Sequence, residues 1–357
     1  MLPESKDFLF ALLTTPSPTG HEHWIQEVVR SRMKDFTESM TTDLHGNLIC
    51  AINTKAERRV MLAGHADQIG FMVRHITKEG FIYVGALGGI DPGVVPGSKV
   101  SIISSKGRVS GIFGRKPIHL QNSDERAKMT LDLKKFWIDI GARSKAEVER
   151  YIEIGDPVVF APVVEELRNG CIAAPGIDNR VGLFVVMEAL RLLAGEKLQV
   201  GVYAVSTVQE EVGLRGAMTA AYSVNPEVGI AVDVTFATDN PGGSQDDTKS
   251  VDIKLGGGPV ITRGPNANIP LEQLLIDTAK KQKILYQISP DPRPLGNDAN
   301  AMQTIRGGVA AGSVSIPNRY MHSQVEVCML KDLENAARLL SKTILRINGK
   351  TSFIPQS

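Results

Sequence analysis

Between about residues 70 and 162 the chain changes texture, and this limits what it can fold into more than any other feature. Short β-rich pieces at 71–73, 81–84, 100–103, 109–113 and 157–160 alternate there with glycine- and proline-rich turns. That spacing predicts a small barrel or sandwich rather than βαβ units. On either side, helical periodicity alternates with short apolar runs. Helices are expected over 3–13, from Trp24 to Phe36, and over 181–193, 271–281 and 332–347, with strands over 48–52, 60–63, 200–206, 228–234 and 309–316. Thr15-Pro16-Ser17-Pro18-Thr19-Gly20 stops the first helix, because two prolines and a glycine cannot continue it. Alternating helices and buried strands imply a sheet covered on both faces. The expected architecture is therefore α/β: a catalytic domain made of residues 1–69 and 163–357, with a β domain, 70–162, inserted in it.

With 42% hydrophobic residues, the chain can bury a core without disulfides, and its three scattered cysteines, Cys50, Cys171 and Cys328, fit a reducing compartment. Lys plus Arg (40) and Asp plus Glu (39) cancel almost fully, which gives no basic stripe for nucleic acid. No apolar run approaches the roughly 20 residues that span a bilayer, and Glu4, Lys6 and Asp7 are unlike a signal peptide. A cytoplasmic protein with small or neutral partners is expected.

Metal-type ligands recur where apolar strands end. Leu62-Ala63-Gly64-His65-Ala66-Asp67 closes one strand, Gly176-Ile177-Asp178-Asn179-Arg180 precedes a helix, and Gln209-Glu210-Glu211-Val212-Gly213 follows another strand. Ala231-Val232-Asp233-Val234 places a carboxylate inside an apolar run, and Asn318-Arg319-Tyr320-Met321-His322-Ser323 adds a second histidine. In open α/β sheets, ligands bind beyond the carboxyl ends of strands, so these loops can converge. Taken singly, His65 reads as structural, Asp178 as a helix N-cap and Glu210-Glu211 as a solvated pair. Asp233 is different, because a carboxylate in a buried strand must find a cation or strong donors. Two imidazoles and three carboxylates, with one carboxylate to spare, suit zinc, cobalt or manganese, and a shared carboxylate suits a pair of ions.

Other motifs carry less. Gly256-Gly257-Gly258-Pro259 lacks the residues of a phosphate loop and reads as a turn approaching substrate or another backbone. There is no GxSxG, which disfavours a serine hydrolase. His21, His23, His45 and His75 read as surface or structural, and His119 falls in the inserted domain. The polar stretch from Asp239 to Lys249 reads as a surface loop.

In chain order, GHADQIGFMV, APGIDNRVG, VQEEVGLRGA, AVDV and IPNRYMHS resemble the glutamyl (deblocking) and tetrahedral aminopeptidase family of dinuclear metallopeptidases. The match runs from the PSPTGHE turn to the RYMHS segment. It implies a zinc-peptidase-like mixed sheet flanked by helices, with a small β-barrel inserted, and hydrolysis of the N-terminal residue of short peptides. Carried over residue by residue, it makes His65 and Asp233 terminal ligands of one metal, Glu211 and His322 ligands of the other, and Asp178 the bridge. Glu210 would be the general base, and Asp67 the carboxylate that orients His65. Two divalent ions per subunit are implied, zinc or cobalt foremost and manganese next. So is a homo-oligomer, since relatives form hollow particles of twelve subunits; neither nucleic acid nor membrane is implied as a partner. The chain departs from the common H-M-D-E-I-G and T-D-A patterns at His65-Ala66-Asp67-Gln68-Ile69-Gly70 and Asn297-Asp298-Ala299, which bears on the substrate pocket. A deacylase or carboxypeptidase on the same fold, or a non-catalytic assembly scaffold, are the alternative functions.

Overall fold

The computed structural model describes residues 1–123, 131–241, 243 and 251–355, so most of the polar stretch after Asp239 lies outside the described residues. Helix α1 (Pro3–Thr14) has proline in its first turn and ends where Pro16 forces Thr15 into an extended conformation. Helix α2 (His23–Met33) stops earlier than its periodicity predicts, and Phe36 packs against the core from a turn. Strands β1 (Ser39–Thr42) and β2 (Leu48–Ile52) pair as a hairpin before β3 (Arg59–His65), buried from Val60 onward.

The β-rich middle then forms β4 (Gly70–Ile76), β5 (Ile82–Leu87), β6 (Lys99–Ser104), β7 (Gly107–Gly114), β8 (Trp137–Asp139) and β9 (Pro157–Phe160), with the one-turn helix α3 (Lys145–Val148) before β9. These six strands close in the order β4-β5-β8-β7-β6-β9, a barrel rather than an open sandwich. Its interior centres on Phe71, whose ring lies 4.8 Å from that of Phe113 and 5.5 Å from that of Phe160.

Beyond the barrel come β10 (Glu165–Glu166), β11 (Cys171–Ala174), α4 (Ile177–Leu193), β12 (Gly201–Thr207), α5 (Arg215–Val224) and β13 (Val228–Phe236). The remainder is β14 (Val260–Arg263), α6 (Ile269–Gln282), β15 (Gln287–Pro290), α7 (Asp298–Gln303), β16 (Ala310–Asn318), β17 (Glu326–Met329) and α8 (Leu330–Ile344). An eight-stranded mixed sheet runs in the order β1-β2-β12-β3-β13-β16-β14-β15, while β10, β11 and β17 make a small antiparallel sheet. The central strands β12, β3, β13 and β16 are parallel.

Strand alternation sorts the core into two layers. Val60 and Leu62 of β3 and Ile230 and Val232 of β13 join the large cluster with α1, α2, α4, α6 and α8. Met61, Ala63 and Ala231 join the smaller one with α5 and α7. His65 and Asp233 continue the second register, so both point from the same face of adjacent strands. Helix α4 is locked to this edge by Asn179, whose Nδ2 donates to Val232 O (2.8 Å) and whose Oδ1 accepts from Gly182 N (3.0 Å). A Cβ at Gly182 would collide with both partners of that bridge, which is why the helix carries glycine there. The triple glycine at 256–258 approaches another backbone. Gly256 N and Gly258 N donate to the Asp332 carboxylate (2.7 and 2.9 Å), and Gly258 lies against Leu285 O.

Candidate metal centre

Parallel pairing puts His65 opposite Thr207 and brings the carboxyl ends of β3, β12 and β13 side by side. Beyond β12 the backbone turns left-handed at Gln209 (φ 55°) and enters a single 3-10 turn that presents Glu210 and Glu211. His322, also left-handed (φ 62°), arrives from the turn between β16 and β17. Asp178 lies at the start of α4 with non-helical dihedrals and caps nothing through its side chain.

Asp178 sits at the centre: Oδ1 is 3.2 Å from His65 Nε2, and Oδ2 is 3.2 Å from His322 Nε2. His65 Nε2 is also 3.8 Å from Glu210 Oε2 and 3.8 Å from Asp233 Oδ1, and His322 Nε2 is 3.7 Å from Glu211 Oε1. On the other side of the ring, His65 Nδ1 lies 3.3 Å from Asp67 Oδ1. All seven residues expected from the sequence thus converge. Among the described residues, three overlapping groups have their ligand-type atoms within 4.8 Å of one another: His65, Asp178 and Asp233; His65, Glu210 and Glu211; and Asp178, Glu211 and His322.

Asp67 does more than face His65. Its Oδ1 accepts from Glu210 N (3.0 Å), and its Oδ2 accepts from Glu211 N (3.2 Å) and Thr19 Oγ1 (2.9 Å). One buried carboxylate therefore fixes the histidine and both glutamates. Glu22 helps from outside, since its Oε1 accepts from Gln209 N (3.1 Å). Glu326 supports Asp178 in the same way, accepting from Asp178 N (2.8 Å) and Asn318 Nδ2 (2.9 Å). The sequence held a signal for Glu326 that went unused: it lies in the run Val325-Glu326-Val327-Cys328, the pattern that singled out Asp233. Asp298, named only as part of a departure from the family pattern, is buried here and accepts from Thr207 Oγ1 (2.6 Å).

The electrostatics call for cations. Burial, reinforced by Asp233, Asp298 and Glu211, pushes the Glu210 carboxyl up to about 10 against the pull of His65. Burial and then Asp178 raise Glu211 to about 7, and burial raises Asp233 despite His65. Burial also works against Asp178, but hydrogen bonds from His322 and His65 overcome it and hold this carboxyl below the ordinary range. Glu211 Oε1 and Asp298 Oδ1 are buried with no hydrogen-bond partner. Two imidazoles cannot balance so many buried carboxylates, and unpaired buried charge is costly. The donor set, nitrogen and carboxylate oxygen around a shared carboxylate, fits a pair of divalent ions.

The barrel reaches this site. A Cβ at Gly88 would lie 3.3 Å from Glu211 Oε2, and one at Gly89 would lie 3.3 Å from His322 Nδ1. The apolar, glycine-rich segment after β5 thus turns its glycines to the site, while Ile90 packs on the barrel core. The other histidines lie outside the three groups; His23 packs against Trp24 at a tilt and His75 lies near Tyr83.

Known proteins resemble this chain in sequence and fold. The family model for the M42 glutamyl aminopeptidase matches residues 46–339. A lysyl aminopeptidase of Pyrococcus furiosus is 39% identical over 346 residues, covering 96% of this chain and 97% of the relative. A TET aminopeptidase from a marine sediment archaeon of the Thaumarchaeota superposes with a TM-score of 0.92 at 34% identity, over 98% of this chain and 99% of that one. The TET1 peptidase of Pyrococcus horikoshii, which can assemble into a tetrahedron or a large octahedral shell, gives 0.85 at 31% identity over 96% and 100%. Matched along nearly its whole length in both sequence and fold, the chain belongs to the M42 glutamyl aminopeptidase family of metallopeptidases.

Proposed function

We propose that the protein is a two-metal aminopeptidase that removes the N-terminal residue from short peptides. The observation that carries this reading is Asp178, with one carboxylate oxygen 3.2 Å from each of two histidines. His65 and Asp233 would hold one ion and Glu211 and His322 the other, with Asp178 shared between them. This division uses the first and third of the three ligand groups and leaves Glu210 free. When bound, such an ion pair supplies a more acidic water and a polarised scissile carbonyl. Glu210 accepts the proton of the attacking water and passes it to the leaving amine. Its backbone N–H, anchored on Asp67, keeps the carboxylate at this post. The adjoining cavity, about 300 Å³, admits a residue or two rather than a folded chain.

Zinc and cobalt satisfy these ligands, and manganese follows. Removing metal with a chelator is expected to abolish cleavage of aminoacyl-anilides. Reloading with zinc, cobalt or manganese should restore it, with two ions per chain by elemental analysis. Full activity in metal-free protein would overturn the reading.

The barrel, residues 70–162, serves assembly and substrate access, and the catalytic domain comprises 1–69 and 163–357. The approach of Gly88 and Gly89 to Glu211 and His322 supports the access role. By analogy with tetrahedral relatives, the subunits form a hollow homo-oligomer of twelve. Light scattering on the metal-loaded protein should give that mass. A concentration-independent monomer with full activity would remove the chamber and leave the chemistry standing. The three cysteines are unpaired and no helix of the described residues is long and apolar enough to cross a membrane, which fits work in the cytoplasm on peptides.

A further inference from the structure

The family description names glutamyl and the Pyrococcus furiosus relative lysyl substrates, side chains of opposite charge, so names alone do not choose the first residue. The cavity does. Besides the residues around the proposed ions, it is lined by Thr262 and Ser289 from the ends of β14 and β15, by Phe236 and Leu295, and by one further carboxylate, Asp291. Among the described residues no lysine or arginine lines it, and its two histidines face Asp178.

Asp291 follows the last residue of β15, and its backbone N–H donates to Arg263 O (2.8 Å). Its Oδ1 accepts from Arg293 N (3.0 Å), a turn that fixes the carboxylate on its loop. Among the described residues no cation pairs with it. Arg263, the neighbour on β14, gives its guanidinium to Glu272 (2.6 Å), and the Arg293 side chain does not line the cavity. A fixed carboxylate without a counter-ion, at a cavity that also has apolar walls, matches one kind of side chain: a long aliphatic stem with a cationic end.

We infer that Asp291 is the specificity-determining residue of this site and selects peptides that begin with lysine or arginine. The inference rests on the aminopeptidase reading above. The stem lies along Leu295 and Phe236, and the ammonium or guanidinium meets the Asp291 carboxylate. An acidic first residue is rejected, because its charge would face Asp291 with no cation to receive it.

The test is a panel of Lys-, Arg-, Leu- and Glu-anilides with the metal-loaded parent, Asp291→Asn and Asp291→Lys. Asparagine keeps the acceptor for Arg293 N and removes only the charge, so folding is not at stake. In the parent, kcat/KM should be highest for lysine and arginine and lowest for glutamate. In Asp291→Asn the ratio of Lys to Leu should fall roughly 10- to 100-fold, the worth of a charge-assisted hydrogen bond. In Asp291→Lys the order of Lys and Glu should reverse. A Lys-to-Leu ratio unchanged by Asp291→Asn, or a parent that prefers glutamate, overturns the inference and leaves the aminopeptidase intact. A metal-loaded parent that cuts none of the four overturns the aminopeptidase reading and this inference with it.

Discussion

Glu210→Gln is expected to lower kcat by about 10²–10⁴-fold while both metal ions stay bound and the fold is kept. Glutamine has nearly the same shape as glutamate and still offers an oxygen, but it cannot hold the proton that must travel from water to amine. The backbone hydrogen bond from Glu210 N to Asp67 Oδ1 does not depend on the side chain, so the turn survives. Glu211→Gln is the control, because it differs by a single position. Its Oε1 lies 3.7 Å from His322 Nε2, with no hydrogen-bond partner, and is assigned to an ion. That variant should lose metal from one of the two sites before it loses chemistry. Metal content by elemental analysis and kcat at saturating metal separate the two variants. Equal metal loss in both would mean that the base and the ligand have been assigned the wrong way round.

The contrast between neighbours shows what the sequence conveys and what it hides. The residues at the strand ends were legible because burial and charge conflict there. An aspartate in Ala231-Val232-Asp233-Val234 has no packing purpose that valine would not serve better, so it must find a cation or strong donors. The barrel was legible from the spacing of its turns, although nothing in that spacing decides between closure and an open sandwich. Closure depends on β9 pairing with both β4 and β6, a contact between segments more than 50 residues apart. Short or polar strands escaped for a different reason. Trp137–Asp139 has three residues, and Gln287–Pro290 is half-exposed and reads Gln-Ile-Ser-Pro, so neither carries an apolar alternation. Missing β15 also hid Asp291 as a strand-end carboxylate. Asp178 was ambiguous on local grounds, since an aspartate before a helix is by default a cap. Only the two histidines, one 113 residues before Asp178 and the other 144 after it, reveal that its side chain faces elsewhere.

Asp178 also carries the most severe prediction. On the proposed two-metal reading, Asp178→Asn should leave neither ion tightly held, because the residue offers one oxygen to each histidine's side of the site and would supply the negative charge that both ions share. Loss of the pair removes several kcal/mol of transition-state stabilisation, on the order of 10³-fold or more in kcat/KM. The fold should tolerate the change better than the chemistry. Asparagine matches aspartate in size, and the backbone bond from Asp178 N to Glu326 Oε2 remains available at 2.8 Å. Glu326→Gln gives the graded comparison. It weakens the support behind Asp178 without touching a ligand atom, and a change of this kind costs about 10–100-fold in metal affinity. Excess metal should therefore rescue Glu326→Gln to nearly parental kcat and should fail to rescue Asp178→Asn. If excess zinc or cobalt restored both variants alike, Asp178 would be one support among several, and the shared-carboxylate model of the site would have to be given up.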